Sequence, residues 1–449
     1  MSAKSRLVLL ALLLWLPLSA ARATPAIETW ETPNGARVLF VAAPALPMVD
    51  VRVVFAAGAS RDGARPGLAS LTAAMLTQGA GDWDADAIAE RLDDVGASLS
   101  TGVDRDMASV AGRSLTSEPA YGRLVETMTE VLAEPTFAEA DLARLRENRL
   151  IGLRRDEQDP GTVGEKAIYR QIYGDHPYAA DPSGTPAAVA ALTREDLVAF
   201  HRRWYTADNA VVAIVGALER DQAEALATRL AAGLPRGEAA PALPPVADPA
   251  GAAVQAIPFP SSQTHVYVGQ PGMRRGDPDY FPLYVGNHIL GGSGLVSLLA
   301  EEVREKRGLS YSVYSYFLPL AERGPFLMGL QTKAEQATEA QAVLRETLGR
   351  FIAEGPSDEE LTAAVKNITG GFPLRIASNG SIVQYLAVIG FYDLPLDHLE
   401  RFNDRISAVT AEQIRDAFGR RIDPERLAVV TVGPTPNPAA DPGVTPADG

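Results

Sequence analysis

The chain of 449 residues contains no cysteine. That excludes disulfide staples, thiol nucleophiles, iron–sulfur ligation and cysteine-based zinc sites. Packed cores must therefore hold the fold, and this length suits two of them. Histidine is scarce too. The five are His176, His201, His265, His288 and His398, and no two stand at the i,i+4 spacing that puts a metal-binding pair on one helix face. Dense basic blocks are also missing. The 41 Lys and Arg are outnumbered by 56 Asp and Glu, for a formal charge of −15. Such a balance repels phosphate backbones and argues against nucleic acid as a partner. The short Arg154-Arg155 and His201-Arg202-Arg203 groups read as solvated helix surface.

Long hydrophobic runs are absent except at one place. Lys4 and Arg6 precede an apolar stretch, Leu7 to Leu18, broken only by Pro17, and Ala21-Arg22-Ala23 follows. A positive start, an apolar middle and a small-x-small end make a secretory signal peptide, too short for a span of about 20 apolar residues. Residues 1–23 are expected to be cleaved after Ala23, leaving a periplasmic or secreted chain with no membrane partner.

What is present looks globular: 46% hydrophobic and 22% charged residues are ordinary for a folded protein. Asn34-Gly35 between alternating flanks predicts a hairpin turn, and Val49 to Ala56 a further strand. Helices are predicted from Gly67 to Gln78, Asp84 to Val95, Tyr121 to Leu132 and Asp141 to Asp156, by the spacing of their apolar residues. Prolines 235, 241, 244, 245 and 249 mark a linker, since proline removes backbone donors and restricts its predecessor.

The halves on either side of that linker repeat each other. Leu192-Thr-Arg-Glu-Asp-Leu197 recurs as Val409-Thr-Ala-Glu-Gln-Ile414, and Ala210-Val-Val-Ala-Ile-Val-Gly216 as Leu427-Ala-Val-Val-Thr-Val-Gly433. Thr193 and Thr410 are each predicted to cap a helix that leads into a buried strand. The expected fold is α+β, two tandem copies of a two-layer domain: 24–234 and 254–434, joined by a linker over 235–253, with a flexible tail at 435–449.

Two stretches carry a family resemblance. Gly58-Ala-Ser-Arg-Asp62 followed by Gly67-Leu-Ala-Ser70-Leu-Thr-Ala73-Ala74-Met-Leu76 resembles the active-site helix of the M16 inverted-zincin clamshell peptidases, the family of insulin-degrading enzyme and the mitochondrial processing peptidases. Active members carry His-x-x-Glu-His there. The resemblance sets Ser70 and Ala74 at the two histidine positions, Ala73 at the general-base glutamate and Gly152 at the third ligand, a glutamate on the long charged helix. None of these can ligate zinc, which needs nitrogen, sulfur or carboxylate donors, and Ala73 cannot take a proton from water. No cofactor is expected in this chain. His176, in Tyr173-Gly-Asp-His-Pro-Tyr178, is expected to make a structural hydrogen bond.

The second stretch runs Asn287-His-Ile-Leu-Gly291-Gly292-Ser293-Gly294, then Ser297 through Arg304 and Gly308 to Tyr311 and Tyr314. It resembles the segment from which active members extend an arginine and a tyrosine toward zinc-bound substrate, here Arg304 and Tyr311. The Gly291–Gly294 run lacks the Gly-Lys-Ser/Thr ending of a phosphate loop and is expected to allow close approach of backbone or substrate. The residues alone also allow plainer readings: Arg304 paired with Glu301 or another surface acid, and Tyr311 packed with Tyr314 and Tyr316. A chain that loses one half-site and keeps the other implies a heterodimer, in which a zinc-bearing M16 subunit supplies the metal and this chain supplies Arg304 and Tyr311 for cutting unfolded peptides. The alternatives are a scaffold or peptide-binding subunit without a role in chemistry, and a homodimer when isolated.

Overall fold

The computed structural model describes residues 26–434; the expected signal peptide and the expected tail lie outside them. Six strands form the first sheet: β1 (Glu28–Glu31), β2 (Arg37–Ala42), β3 (Met48–Phe55), β6 (Ser98–Val103), β7 (Ala108–Leu115) and β8 (Ala210–Gly216), in the order β1-β2-β8-β3-β7-β6. A small hairpin, β4 (Gly79–Ala80) and β5 (Trp83–Asp84), stands apart. The second sheet is built from β9 (Ala253–Pro258), β10 (Gln263–Pro271), β11 (Val313–Phe317), β12 (Pro325–Lys333) and β13 (Ala428–Gly433), in the order β11-β12-β10-β13-β9. Each sheet has one parallel pair, β2 with β8 and β9 with β13, and is otherwise antiparallel.

The two orders are the same order. Reading β6-β7-β3-β8-β2 against β11-β12-β10-β13-β9 keeps every neighbour and places the parallel pair at the same point. The architecture is therefore a tandem pair of α/β domains. The repeated sequence blocks explain the shared end of each copy. Thr193 and Thr410 both form capping boxes, with Asp196 and Gln413 reaching back to the cap nitrogen, and both helices lead into a buried strand.

The halves also exchange helices. Pro160–Tyr173, from the first half, packs on β10 and β13 of the second sheet, while Asn379–Phe391, from the second half, packs on β8, β3 and β2. Each exchanged helix meets the sheet through a glycine. A Cβ on Gly164 would lie 2.3 Å from the Tyr267 ring, and one on Gly390 2.5 Å from Val211 and 2.6 Å from Leu39. Gly→Ala inside a helix ordinarily stabilises by about 1 kcal/mol. Here overpacking reverses the sign, so G164A and G390A are each expected to lower stability by about 1–3 kcal/mol, read from urea unfolding midpoints.

Between the halves, the proline-rich segment forms neither helix nor strand, yet it is fastened down. Val246 is buried against Tyr169, Tyr173 and Tyr178, and the Pro241 and Pro244 carbonyls accept hydrogen bonds from Arg61 and His176, each at 2.8 Å. His176 Nδ1 accepts from the Tyr178 N–H at 3.1 Å, which makes Nε2 the donor. Its role is the structural one expected.

The His201 expectation needs correction. Arg202 and Arg203 are exposed, but His201 is only 8% exposed. It shares the buried helix face with Leu197, Phe200 and Trp204, stacks on Tyr205 at 4.7 Å and bonds the Leu132 carbonyl at 3.1 Å. Burial holds its pKa down to about 4. The unfolded chain then binds the extra proton between about pH 6.5 and 4, so stability from this group is present above that window and lost as pH falls through it. His201→Gln is expected to recover on the order of 3 kcal/mol of that acid loss, measured by comparing unfolding midpoints at neutral and acid pH in the two proteins.

Candidate functional site

Helix Leu68–Met75 has no side-chain cap of its own. Asp62 serves it from the preceding turn: its carboxylate accepts the Gly67 and Ala69 N–H groups, each at 2.7 Å. Burial pushes the Asp62 carboxyl up to about 7 against the pull of those hydrogen bonds. On this anchored helix the residue types decide what can happen. Ser70 Oγ donates to the Pro182 carbonyl at 2.7 Å; Ala73 is buried and Ala74 half-buried. Gly152 is exposed on helix Glu139–Asp156, with no other group close to where a Cβ would stand. Ser70 has become a brace for the 181–183 turn, where Asp181 also pairs with Lys166 at 3.1 Å. Among the described residues no three His, Cys, Asp or Glu side chains are gathered so as to hold a metal ion. The residues present do not fit zinc.

The second stretch is built differently. Two π-helical segments, His288–Gly292 and Ala300–Glu305, flank Ser293 and Gly294; such turns are rare and concentrate at functional sites. A Cβ on Gly291 would meet the Ser315 nitrogen at 2.6 Å, so the close approach there is backbone against β11. Asn287 completes that seam, donating to the Ser315 carbonyl at 3.2 Å and accepting from its hydroxyl at 2.8 Å. Gly292 and Gly294 are exposed and Ser293 half-buried; Gly294, at φ 66°, takes the left-handed turn.

Arg304 and Tyr311 come together. The guanidinium lies 4.6 Å over the Tyr311 ring, within cation–π range. Gly308, at φ 61°, turns the chain between them and its N–H returns to the Arg304 carbonyl at 3.0 Å. Tyr311 precedes the strand, which begins at Val313, and is 82% exposed. The plainer reading of Tyr311 does not match this geometry, while that of Arg304 holds with Glu305 as the surface acid in place of Glu301. Glu301 pairs with Lys306 at 2.9 Å, leaving Arg304 a long contact of 3.4 Å with Glu305, and Arg304 Nη1 is buried without a hydrogen-bond partner. Tyr314 and Tyr316 stack on each other at 6.0 Å.

One organising residue escaped the sequence reading. Glu302 is 7% exposed and accepts from Lys306 and Arg350 at 2.9 Å and from Arg307 at 2.5 Å. Those bonds, Arg307 foremost, hold its pKa down to about 2. It pins the turn that aims Arg304. Its spacing to Lys306 was the available signal; Arg350, on another helix, had none.

Similarity to known proteins extends over both stretches. Residues 37–185 match the family description "Insulinase (Peptidase family M16)" and residues 191–368 match "Peptidase M16 inactive domain". A solved structure described as a peptidase M16 inactive domain from Pseudomonas fluorescens is 40% identical, with a TM-score of 0.88, covering 91% of this chain and 98% of its own. This chain belongs to peptidase family M16. Within that family it is 27% identical over 424 residues to an uncharacterized zinc protease of Mycobacterium leprae, covering 92% of this chain and 93% of the relative. A Helicobacter pylori protein called a non-peptidase homolog is 26% identical over 377 residues, covering 83% and 85%. The chain is an M16 member with the tandem clamshell architecture and without a metal-binding cluster among its described residues.

Proposed function

We propose that this chain is the zinc-free half of a two-subunit M16 peptidase, presenting Arg304 and Tyr311 to an unfolded peptide held at the zinc of a partner subunit. The observation that carries this reading is the pair itself: an exposed phenol stacked with a guanidinium, on a chain whose residues at the positions that the resemblance assigns to the metal ligands are Ser70, Ala74 and Gly152. A guanidinium offers fixed donors to a peptide carbonyl. A phenol O–H can donate to the oxyanion of a tetrahedral intermediate. Water activation belongs to the partner, through His-x-x-Glu-His and its distal glutamate. In this reading Gly292, Ser293 and Gly294, exposed or half-buried, supply backbone for the peptide to approach.

The isolated chain is expected to contain no stoichiometric zinc by elemental analysis and to leave unfolded peptides uncut; mixed with a zinc-bearing M16 subunit it is expected to cut them. Hydrolysis by the rigorously purified chain alone sinks the reading. Sedimentation separates a heterodimer with that subunit from a homodimer of the isolated chain. Export through residues 1–23 sets the reaction in a periplasm or outside the cell, and N-terminal sequencing of the mature chain is expected to begin at Thr24.

A second reading, a peptide-binding or scaffold subunit with no part in chemistry, is favoured by two observations. The relatives include proteins described as inactive or non-peptidase. Strands β6 and β11 are sheet edges, whose free backbone groups can pair with an extended peptide. Substitutions at Arg304 and Tyr311 separate the two readings.

A further inference from the structure

A cavity of about 410 Å³ lies between helix Tyr280–Asn287, the C-terminal end of helix Asp358–Arg375 and helix Asn379–Phe391, and neither Arg304 nor Tyr311 lines it. Its walls hold two guanidiniums, Arg275 and Arg375, and no carboxylate. Neither arginine has an acidic partner among the described residues. Arg275 Nε donates to the Pro319 carbonyl at 3.1 Å, and Arg375 Nη1 donates to the Tyr284 hydroxyl. The nearby acids are engaged elsewhere: Asp277 with Arg421 at 2.7 Å, Asp393 with Arg37 at 2.8 Å and Asp397 with Arg401 at 3.4 Å. In a protein carrying a formal charge of −15, an acid-free pocket with two unpaired guanidiniums is a local reversal of sign. Ser381 adds the first turn of its helix, whose partial positive charge has the same effect.

Most of the rest of the wall is aromatic, His398 included, with Val388 and Ile389 beside it. Tyr280 and Tyr284 stack at 5.9 Å with their planes 17° apart, and Tyr385 and Phe402 line the same space. Arg375 and Gln384 are exposed, so the cavity opens to solvent. Its volume falls in the range of small-molecule sites, which join an apolar body to a few polar anchors. We infer that this cavity binds a small oxyanion, a carboxylate or phosphate monoester, joined to an aromatic body: the head group lies on Arg275 and Arg375, and the body lies against the tyrosines. Guanidiniums hold such oxyanions through paired N–H donors. This site is independent of the peptidase reading.

Titration calorimetry on the full mature chain tests it with 3-phenylpropionate, phenyl phosphate, inorganic phosphate and the neutral 3-phenylpropanamide. At least one aryl anion is expected to bind, with the amide and inorganic phosphate each at least about tenfold weaker, as loss of a charged hydrogen bond or of the apolar body requires. Arg375→Gln is expected to weaken the aryl anion at least about tenfold while leaving the thermal unfolding midpoint unchanged, because Arg375 is exposed. Tyr385→Phe, a milder change, is expected to weaken it less. No binding by either aryl anion overturns the inference. So does an amide or inorganic phosphate that binds as tightly, or an R375Q protein that folds and binds as the original does.

Discussion

In a mixture with a zinc-bearing M16 subunit, Tyr311→Phe is expected to lower kcat on an unfolded peptide by about 10²–10³ with KM little changed. The phenyl ring remains, so stacking with Arg304 and the surface shape persist; only the O–H is lost. A donor that acts on the developing oxyanion, and not on the ground-state carbonyl, is missed in kcat. Arg304→Ala is expected to raise KM as well, since a guanidinium bonded to a peptide carbonyl contributes to binding before reaction. Arg304→Lys is expected not to restore activity, because an ammonium lacks the planar fork and stacks less well on Tyr311. Sedimentation of each variant with the partner checks that the complex still forms. Full activity in both Y311F and R304A assigns the pair to the surface and leaves the scaffold reading standing.

Why the degenerate half-site was legible and the rest less so follows from the physics of each. Ligand chemistry depends on residue identity, so Ser70, Ala73, Ala74 and Gly152 could be read without coordinates. Topology was legible through repetition, because Thr193 and Thr410 open matching helices before matching strands. The helix exchange was not. Periodicity gives Pro160–Tyr173 a buried face, but says nothing of whose sheet covers it; Gly164 meets Tyr267 only in three dimensions. Local charge misled at His201, where two exposed arginines follow a side chain that the helical turn carries inward with Leu197 and Trp204. Arg275 and Arg375 gave no signal because single arginines come together only when the turn before helix Tyr280–Asn287 meets the end of helix Asp358–Arg375.

Asp106 supplies the largest expected loss of stability. It lies in the turn between β6 and β7 and is 3% exposed. Its Oδ1 accepts from the Tyr178 hydroxyl at 2.6 Å; its Oδ2 accepts from the Tyr392 hydroxyl at 2.9 Å and the Ala321 N–H at 2.7 Å. Tyr178 in turn accepts from the Glu322 N–H at 3.1 Å. Two of Asp106's three donors come from the second half, so one carboxylate joins the domains. Burial first, then the charge of Asp106, push both phenols above their usual range, so they remain donors at any working pH. Asp106→Ala leaves three donors unmatched, the buried Tyr178 hydroxyl and the part-buried Tyr392 hydroxyl and Ala321 N–H, and is expected to cost about 3 kcal/mol, a large share of ordinary total stability. Asp106→Asn is expected to cost less, because its carbonyl still accepts while its amide opposes the remaining donors. Tyr392→Phe removes one donor and is expected to cost about 0.5–1.5 kcal/mol. Urea unfolding of the three variants, with a double-mutant cycle between Asp106 and Tyr392, checks the ranking; an Asp106→Ala protein that unfolds at the original midpoint removes this junction from the forces holding the halves together. If the ranking holds, the same carboxylate that stabilises the fold also ties the β6–β7 turn of the first sheet to Ala321 and Tyr392 of the second half.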